Sequence, residues 1–517
     1  MKKIITALVC TLSIVALYAQ AVREIAIDFN QEKGAHNKFY KECIGAGRAN
    51  EGLRADWQEQ LKQVKSECDF KYIRFHGVFH DDMGVYFEDE NGKPIYNWQY
   101  IDKLYDYILE IGMKPFVEMS FTPAEMTDGT ETVFWWKGNI NPPRSWEMYH
   151  NFIKAFTQHL TNRYGKEEVK TWYFEVWNEP NLHFFFSGTQ EQYFEMYKQA
   201  VTAVREVCRD YRVGGPASAG AGWVKENLEY CEKNDVPIDF IATHAYNVHG
   251  FLDEFGKSQL ILGDSPNGVI DQIQGAYNHI KASHNPEAEL HITEWSSSYS
   301  PRDPIHDTYQ NATFVLHTLK KTEPITTSMS YWVFTDIFEE SGVPQTPFHG
   351  GFGLMNMQGI KKPTYFVYEY LNQMGDTELV NADTNSWACK QGDDIQLLLW
   401  DFTYTKPKQG QTSNQVYFRQ KHESESKGKV ALNFSNLKDG PYKLTVYKTG
   451  YKHNDVFTAY YELGLPSQLT KPMVEQLKGA SANEPVEQIE IKVKNGKLSK
   501  DLDLYENDIY LVTLNKL

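Results

Sequence analysis

Between Cys43 and Gly375 strand-like runs alternate with amphipathic helical runs, and no other feature of this 517-residue chain restricts its fold as much. Apolar and β-branched stretches fall near 43–48, 71–77, 114–121, 171–178, 211–216, 238–246, 289–295 and 328–335. Helical periodicity lies between and after them, near 56–69, 98–112, 144–165, 189–209, 223–234, 268–284, 307–321 and 363–374. Strands that alternate with helices pair in parallel through crossovers, which argues against an all-β arrangement here. Eight of each predicts an α/β fold, a closed (β/α)8 TIM barrel over 41–375. The segment of about 330 residues is generous for that fold, so several strand-to-helix loops are expected to be enlarged.

After Gly375 the texture changes. Short β-rich runs at Trp387–Cys389, Ile395–Trp400, Gln415–Phe418, Tyr442–Tyr447, Gln488–Val493 and Ile509–Leu514 predict a C-terminal β-sandwich domain over 376–517. Turn signals at Lys438-Asp439-Gly440 and Asn495-Gly496 separate several of them. Arg23–Asn30 alternates too, so 22–40 is expected to supply an N-terminal strand to that sandwich. Residues 1–21 read differently: Lys2 and Lys3, an apolar run from Ile4 to Tyr18, then Ala19-Gln20-Ala21. A basic start, a short apolar region and a small-x-small cleavage site are the pattern of a signal peptide, and predict an exported protein, periplasmic or secreted. No later stretch approaches the roughly 20 apolar residues of a spanning helix, so membrane insertion is not expected.

The formal charge is −16, and removing Lys2 and Lys3 with the leader makes it −18 (−16 − 2). Such a chain repels nucleic acid and anionic membranes, and a neutral partner fits better. Of six cysteines Cys10 lies in the leader; Cys43, Cys68, Cys208, Cys231 and Cys389 are odd in number and dispersed. That excludes a disulfide framework, though not a single bridge. No Cys/His spacing resembles a zinc site, so no metal and no cofactor is expected. With 12 Trp and 32 Tyr, the chain holds more aromatic rings than a core of this size requires. Most of them pack internally, but flat aromatic faces also suit sugar rings. The oligomeric state is not legible, and a homo-oligomer stays open.

In such a barrel the functional residues sit where the strands finish. The polar strand-end residues are His76, Glu118, Asn178, Glu179, His244, Tyr246, Glu294 and the segment Asp336–Glu340. Two endings stand out, TWYFEVWNEPN (Thr171–Asn181) and ELHITEW (Glu289–Trp295). A carboxylate there is poor core material, and Pro180 blocks further ladder donation. Alone, Asn178-Glu179-Pro180 is equally compatible with a satisfied strand-end glutamate; a second similar ending makes a pair. Strands four and seven lie across an eight-stranded ring, so Glu179 and Glu294 are expected to face one opening. Paired carboxylates over a cleft are the equipment of glycoside hydrolysis, and a separation of about 5–5.5 Å means retention of configuration.

Several longer stretches go with these endings: KYIRFHGVFHDDMGVY (Lys71–Tyr86), Asn141-Pro142-Pro143, YWVFTDIFEE (Tyr331–Glu340), PFHGGFGL (Pro347–Leu354) and Gly450–Tyr461. Together with Trp177-Asn178-Glu179-Pro180 and Thr293-Glu294-Trp295 they are specific, and the resemblance they carry spans most of the chain. In them the sequence resembles glycoside hydrolase family 39, which includes β-xylosidases and α-L-iduronidases. The resemblance implies that Glu179 is the general acid/base, Glu294 the nucleophile and Asn178 the ligand of the sugar 2-hydroxyl. It also implies His76, His244, Tyr246 and Glu340 as further hydroxyl ligands and Trp332 as a floor for the ring. The activity it implies is that of an exo-acting retaining β-xylosidase on xylo-oligosaccharides, with α-L-iduronidase-like, arabinosidase or galactosidase activity as alternatives. An iduronidase-like enzyme needs cations for a uronate, and none is assignable. The rival from another class is a catalytically silent carbohydrate-binding protein, against which the retention of both carboxylates argues. A lectin-like role for the tail lacks a cluster of exposed tryptophans.

Plainer readings stand beside these. Arg74 offers a carboxylate partner next to His76, which gives His76 a structural alternative. His244 and Tyr246 alternate and so face one side, whether site or core layer. Glu118 and Glu175 read as barrel-interior partners of Arg or His rather than sugar ligands. Phe184–Phe186 packs a loop or walls the site. Glu339 and Glu340 are not separable by sequence, and Glu340 is assigned.

Overall fold

The computed structural model describes residues 23–408 and 412–517. The expected signal peptide, residues 1–21, lies outside them. Eight parallel strands form the closed barrel: β1 (Cys43–Arg48), β2 (Tyr72–His76), β3 (Lys114–Met119), β4 (Tyr173–Val176), β5 (Arg212–Ala219), β6 (Phe240–Tyr246), β7 (Glu289–Ser296) and β8 (Ser328–Tyr331). They close in the order β4-β5-β6-β7-β8-β1-β2-β3. A helix follows each strand, from Ala55–Cys68 after β1 to Pro363–Asn372 after β8.

Strand alternation builds the barrel interior in layers. Tyr72, Phe116, Tyr173 and Phe240 form an aromatic layer with His291, whose ring centroid lies 4.6 Å from that of Tyr173. Two residues further along β2, β3 and β4 come Arg74, Glu118 and Glu175, all fully buried. Another step reaches the open end. In β7 strict alternation would turn Glu294 away from the interior that His291 faces, but the register breaks there. Thr243 pairs with Ile292 while His244 pairs with Glu294, which leaves Thr293 as an extra residue. The bulge resets the parity and aims Glu294 inward.

Outside the barrel, Arg23–Asp28 pairs in parallel with Ser426–Ser435, which also pairs with Leu498–Tyr505. A seven-stranded sheet packs against this three-stranded one around Ile25, Ile27, Leu397, Leu432 and Val512. Glu32–Ala35 joins that larger sheet beside Thr377–Leu379. At the Asn495-Gly496 turn both residues have positive φ (56° and 66°), and the chain crosses there from one sheet to the other.

One expected strand is a helix: Asn414–Tyr417 forms a single turn where Gln415–Phe418 reads as a strand. Asn414 explains it, because its Oδ1 accepts from Leu262 N (3.1 Å) and its Nδ2 donates to Asp303 Oδ2 (2.8 Å), docking the segment on barrel loops. Phe418 is buried against Leu262 and Ile305. Strands Ser426–Ser435 and Leu498–Tyr505, and helices Val456–Glu462 and Lys471–Ala480, were not expected from the sequence. Cys43, Cys68, Cys208, Cys231 and Cys389 are buried free thiols.

Candidate active site

The site is built upward from Arg74. Its guanidinium lies in the barrel axis, where Nε donates to Glu175 Oε2 at 2.6 Å and Nη2 lies 2.7 Å from Glu118 Oε2. The same fork reaches the next layer: Nη1 donates to Glu294 Oε1 at 2.6 Å and Nη2 to Asn178 Oδ1 at 3.0 Å. Burial works against this cation, but the charges of Glu118, Glu175 and Glu294 outweigh it and hold it protonated. Glu118 and Glu175 are therefore interior partners.

Strand β4 ends in unusual backbone. Trp177 (φ 71°) and Glu179 (φ 46°) adopt the left-handed region that non-glycine residues avoid, at a cost of order 1–3 kcal/mol each. Local bonds hold the turn: Trp177 Nε1 donates to Phe185 O at 2.9 Å and Glu179 N donates to Ala217 O at 2.8 Å. Both Asn178 and Glu179 consequently point over the cavity.

Glu179, Glu294 and His244 converge, with a carboxylate oxygen of each glutamate and a ring nitrogen of the histidine all within 4.8 Å of one another. His244 Nδ1 lies 2.8 Å from Glu179 Oε1 and 3.5 Å from Glu294 Oε2. Tyr246, two residues on, donates to Glu294 Oε2 at 2.9 Å. Burial first, then the negative charge of Glu294, push Glu179 well above the usual carboxylate range. Burial, reinforced by the charges of Arg74 and His76, keeps His244 neutral. These three groups have the spacing of divalent-cation ligands, yet His244 is already bonded to Glu179, Glu294 is paired with Arg74, and two cations sit beside them, so the donor set suits proton transfer rather than a metal.

His76 is the second cation. Its Nδ1 lies 2.7 Å from Glu118 Oε2, and its Nε2 lies 3.3 Å from Glu340 Oε1 and 3.5 Å from Glu294 Oε1. Although burial lowers it, Glu118 above all raises its pKa to about 10. Glu340, raised mainly by burial to about 7, projects into the cavity. Glu339 turns away to Arg48 (3.0 Å) and Arg54 (2.8 Å).

A cavity of about 620 Å³ opens above these groups. Seven of the eight expected site residues line it: His76, Asn178, Glu179, Tyr246, Glu294, Trp332 and Glu340. His244 does not; it lies beneath, fully buried, and touches the site through Glu179. Sequence reasoning missed the hub role of Arg74 and the walls formed by Phe134, Tyr299 and Phe352. Phe184 and Phe185 also wall the cavity, whereas Phe186 packs in the core. A cationic residue two positions before a strand-end histidine is the signal for Arg74; loop aromatics carry none.

A TIM barrel whose fourth and seventh strands bring two carboxylates this close, one with its pKa raised by burial and one salt-bridged, beneath an aromatic-walled cavity defines a glycoside hydrolase. The sequence model of Glycosyl hydrolases family 39 matches residues 23–497, and the chain belongs to that family. A β-xylosidase from Caldicellulosiruptor saccharolyticus is 43% identical over 356 residues, 68% of this chain and 72% of its own. One from Geobacillus stearothermophilus is 39% identical over 379 residues, 71% of this chain and 75% of its own. The crystal structure of a monomeric β-xylosidase from Caulobacter crescentus CB15 superimposes with a TM-score of 0.93 at 40% identity, covering 96% of this chain and 100% of that one.

Proposed function

We propose that the protein is an exported, exo-acting β-xylosidase that releases xylose from short xylo-oligosaccharides with retention of configuration. The observation that carries the mechanism is the close approach of Glu179 and Glu294, one oxygen of each lying within 4.8 Å of the other. That falls short of the roughly 6.5–9.5 Å needed to seat a water between two carboxyls and invert. Glu294, salt-bridged to Arg74, attacks the anomeric carbon while Glu179 gives its proton to the leaving oxygen. Neutral His244, with its proton on Nδ1, donates to Glu179 Oε1 and leaves Oε2 to carry the catalytic proton. Once the sugar is esterified to Glu294 the charge that raised Glu179 is gone, and Glu179 becomes the base that takes a proton from water. Asn178 has its Oδ1 engaged by Arg74, so its Nδ2 is the group that meets the 2-hydroxyl.

A neutral pentose fits the lining. Among the described residues no Lys or Arg lines the cavity, while Glu179, Glu294 and Glu340 do. A uronate would meet three carboxyl groups, and the cationic His76 in the lining is already held by Glu118 and Glu340, which disfavours the iduronidase-like alternative. The test is a panel of aryl glycosides followed by NMR of the first-formed anomer. β-Xyloside is expected to react fastest and give β-xylose, and Glu294→Gln to abolish turnover; a faster arabinoside, galactoside or iduronide, or α-xylose as first product, overturns the reading. For export, protein recovered outside the cytoplasm is expected to begin at Val22.

A further inference from the structure

The axis from Glu179, in the turn after β4, to Glu294 on β7 divides the ring of strands unequally. β5 and β6 lie on one side, β8, β1, β2 and β3 on the other. His76, Glu340 and Trp332 come from the second group and crowd one flank of the carboxylate pair. The opposite flank is walled by Leu182, Phe184, Val248, Gln272 and Tyr299. Leu182 and Phe184 belong to the loop that begins at Glu179 itself. A group that receives a proton from Glu179 therefore leaves along this wall.

The wall is apolar and exposed. Phe184 is 59% and Tyr299 50% accessible, high for large apolar rings. Phe184 rests on Phe185 (centroids 4.7 Å apart), and Tyr299 stands edge-on to Tyr246 (6.2 Å). Polar partners are scarce: Gln272 Nε2 already donates to Tyr246 O (2.8 Å) and Gly268 O (3.0 Å). Among the described side chains that wall this flank, the Gln272 carbonyl and the Tyr299 hydroxyl are the polar groups left. A second pentose brings several hydroxyls that must exchange water for protein partners, and unmade bonds are costly. A flat apolar ring needs none and gains from aromatic faces. At about 620 Å³ the cavity is in the range that encloses a drug-sized ligand, more than one pentose fills.

We propose that this flank is a leaving-group site that takes a flat, apolar ring, an aryl or arylalkyl aglycone, against Phe184 and Tyr299, in preference to a second sugar. The proposal rests on the β-xylosidase reading above. The experiment compares 2-phenylethyl β-xyloside with xylobiose, neither of which carries an activated leaving group, the sugar being intrinsically the better of the two, and normalises both to β-xylosyl fluoride, whose leaving group is too small to reach the wall. Failure of the wild-type enzyme to turn over β-xylosyl fluoride defeats the β-xylosidase reading itself. Given turnover, the expected result is a higher kcat/KM for the phenylethyl substrate than for xylobiose. Phe184→Ala and Tyr299→Ala are expected to lower that preference about tenfold, the scale of one lost aromatic contact. Xylobiose cleaved as well as or better than the phenylethyl substrate, or a preference that neither substitution changes, overturns the proposal.

Discussion

Arg74 Nη1 lies 2.6 Å from Glu294 Oε1, deep in a barrel where neither side chain has appreciable solvent contact. The same guanidinium anchors Asn178, so one residue orients the attacking carboxylate and the 2-hydroxyl ligand together. Arg74→Lys keeps the charge but replaces a planar fork by a single ammonium that cannot span four partners. A displacement of about 1 Å in the site costs on the order of 100-fold. We expect kcat/KM on an aryl β-xyloside to fall by about that factor or more in a protein that still folds by circular dichroism. Activity within threefold of wild type would remove Arg74 from this role.

The close carboxylates make different predictions for the two steps. Glu179→Ala removes the proton donor, so substrates with poor leaving groups should slow by about 10²–10⁴-fold while activated ones suffer little in the first step. Azide, which needs no base, should rescue the second step and yield the β-azide. A uniform loss across leaving groups, with no rescue, would mean that Glu179 does not move the proton.

His244 does not line the cavity, and its hydrogen bond to the site is to Glu179. Replacing it by Ala takes away a bond to Glu179 Oε1 worth about 1.5–3 kcal/mol when one partner is charged, or roughly 10- to 100-fold. The loss should grow as the leaving group worsens. Steady-state rates on a graded series of aryl xylosides test this, and equal losses across the series would assign His244 to the sugar instead.

Burial and the charge of Glu294 hold the Glu179 proton more tightly in the folded protein than in the unfolded chain. Its contribution to stability is thus full at acid pH and is lost as pH rises through the raised pKa. Glu179→Gln has no such loss. Its stability relative to wild type should climb by up to about 1.4 kcal/mol per pH unit above the usual carboxylate range and then level off. Melting curves of the two proteins across pH measure it; parallel profiles would mean that folding does not shift the Glu179 pKa. The kcat/KM profile should lose activity along the same alkaline limb.

Away from the chemistry, Lys362 bridges Asp307 (2.7 Å) and Asp336 (2.6 Å) and donates to Gly351 O (2.8 Å), all fully buried or nearly so. It ties the segment carrying Glu340 and Phe352 to the barrel. Lys362→Met strands two buried carboxylates and should cost about 3–5 kcal/mol. A drop of several degrees in the melting temperature is expected, and an unchanged melting temperature would contradict the buried-pair account.

Strand and helix positions in the barrel were legible because each depends on periodicity within a dozen residues. The eight expected strands match the eight observed within a few positions at nearly every end. Gln415–Phe418 misled because a tertiary bond network around Asn414 outweighs local β preference. Ser426–Ser435 carried an alternating signal at Val430, Leu432 and Phe434 that was missed, and its partner Arg23–Asp28 lies some 400 positions earlier.

By itself the sequence determined the barrel, its eight strands and the two strand-ending glutamates, because hydrophobic period and turn chemistry act over short distances along the chain. Only the tertiary structure decided how those glutamates point. The Thr293 bulge reverses the side-chain parity of β7, the left-handed turn at Trp177 redirects Asn178 and Glu179, and Arg74 binds residues 44, 101, 104 and 220 positions away. Such contacts exist only once the ring has closed, since no local preference of any one segment encodes the charge that another will bring beside it.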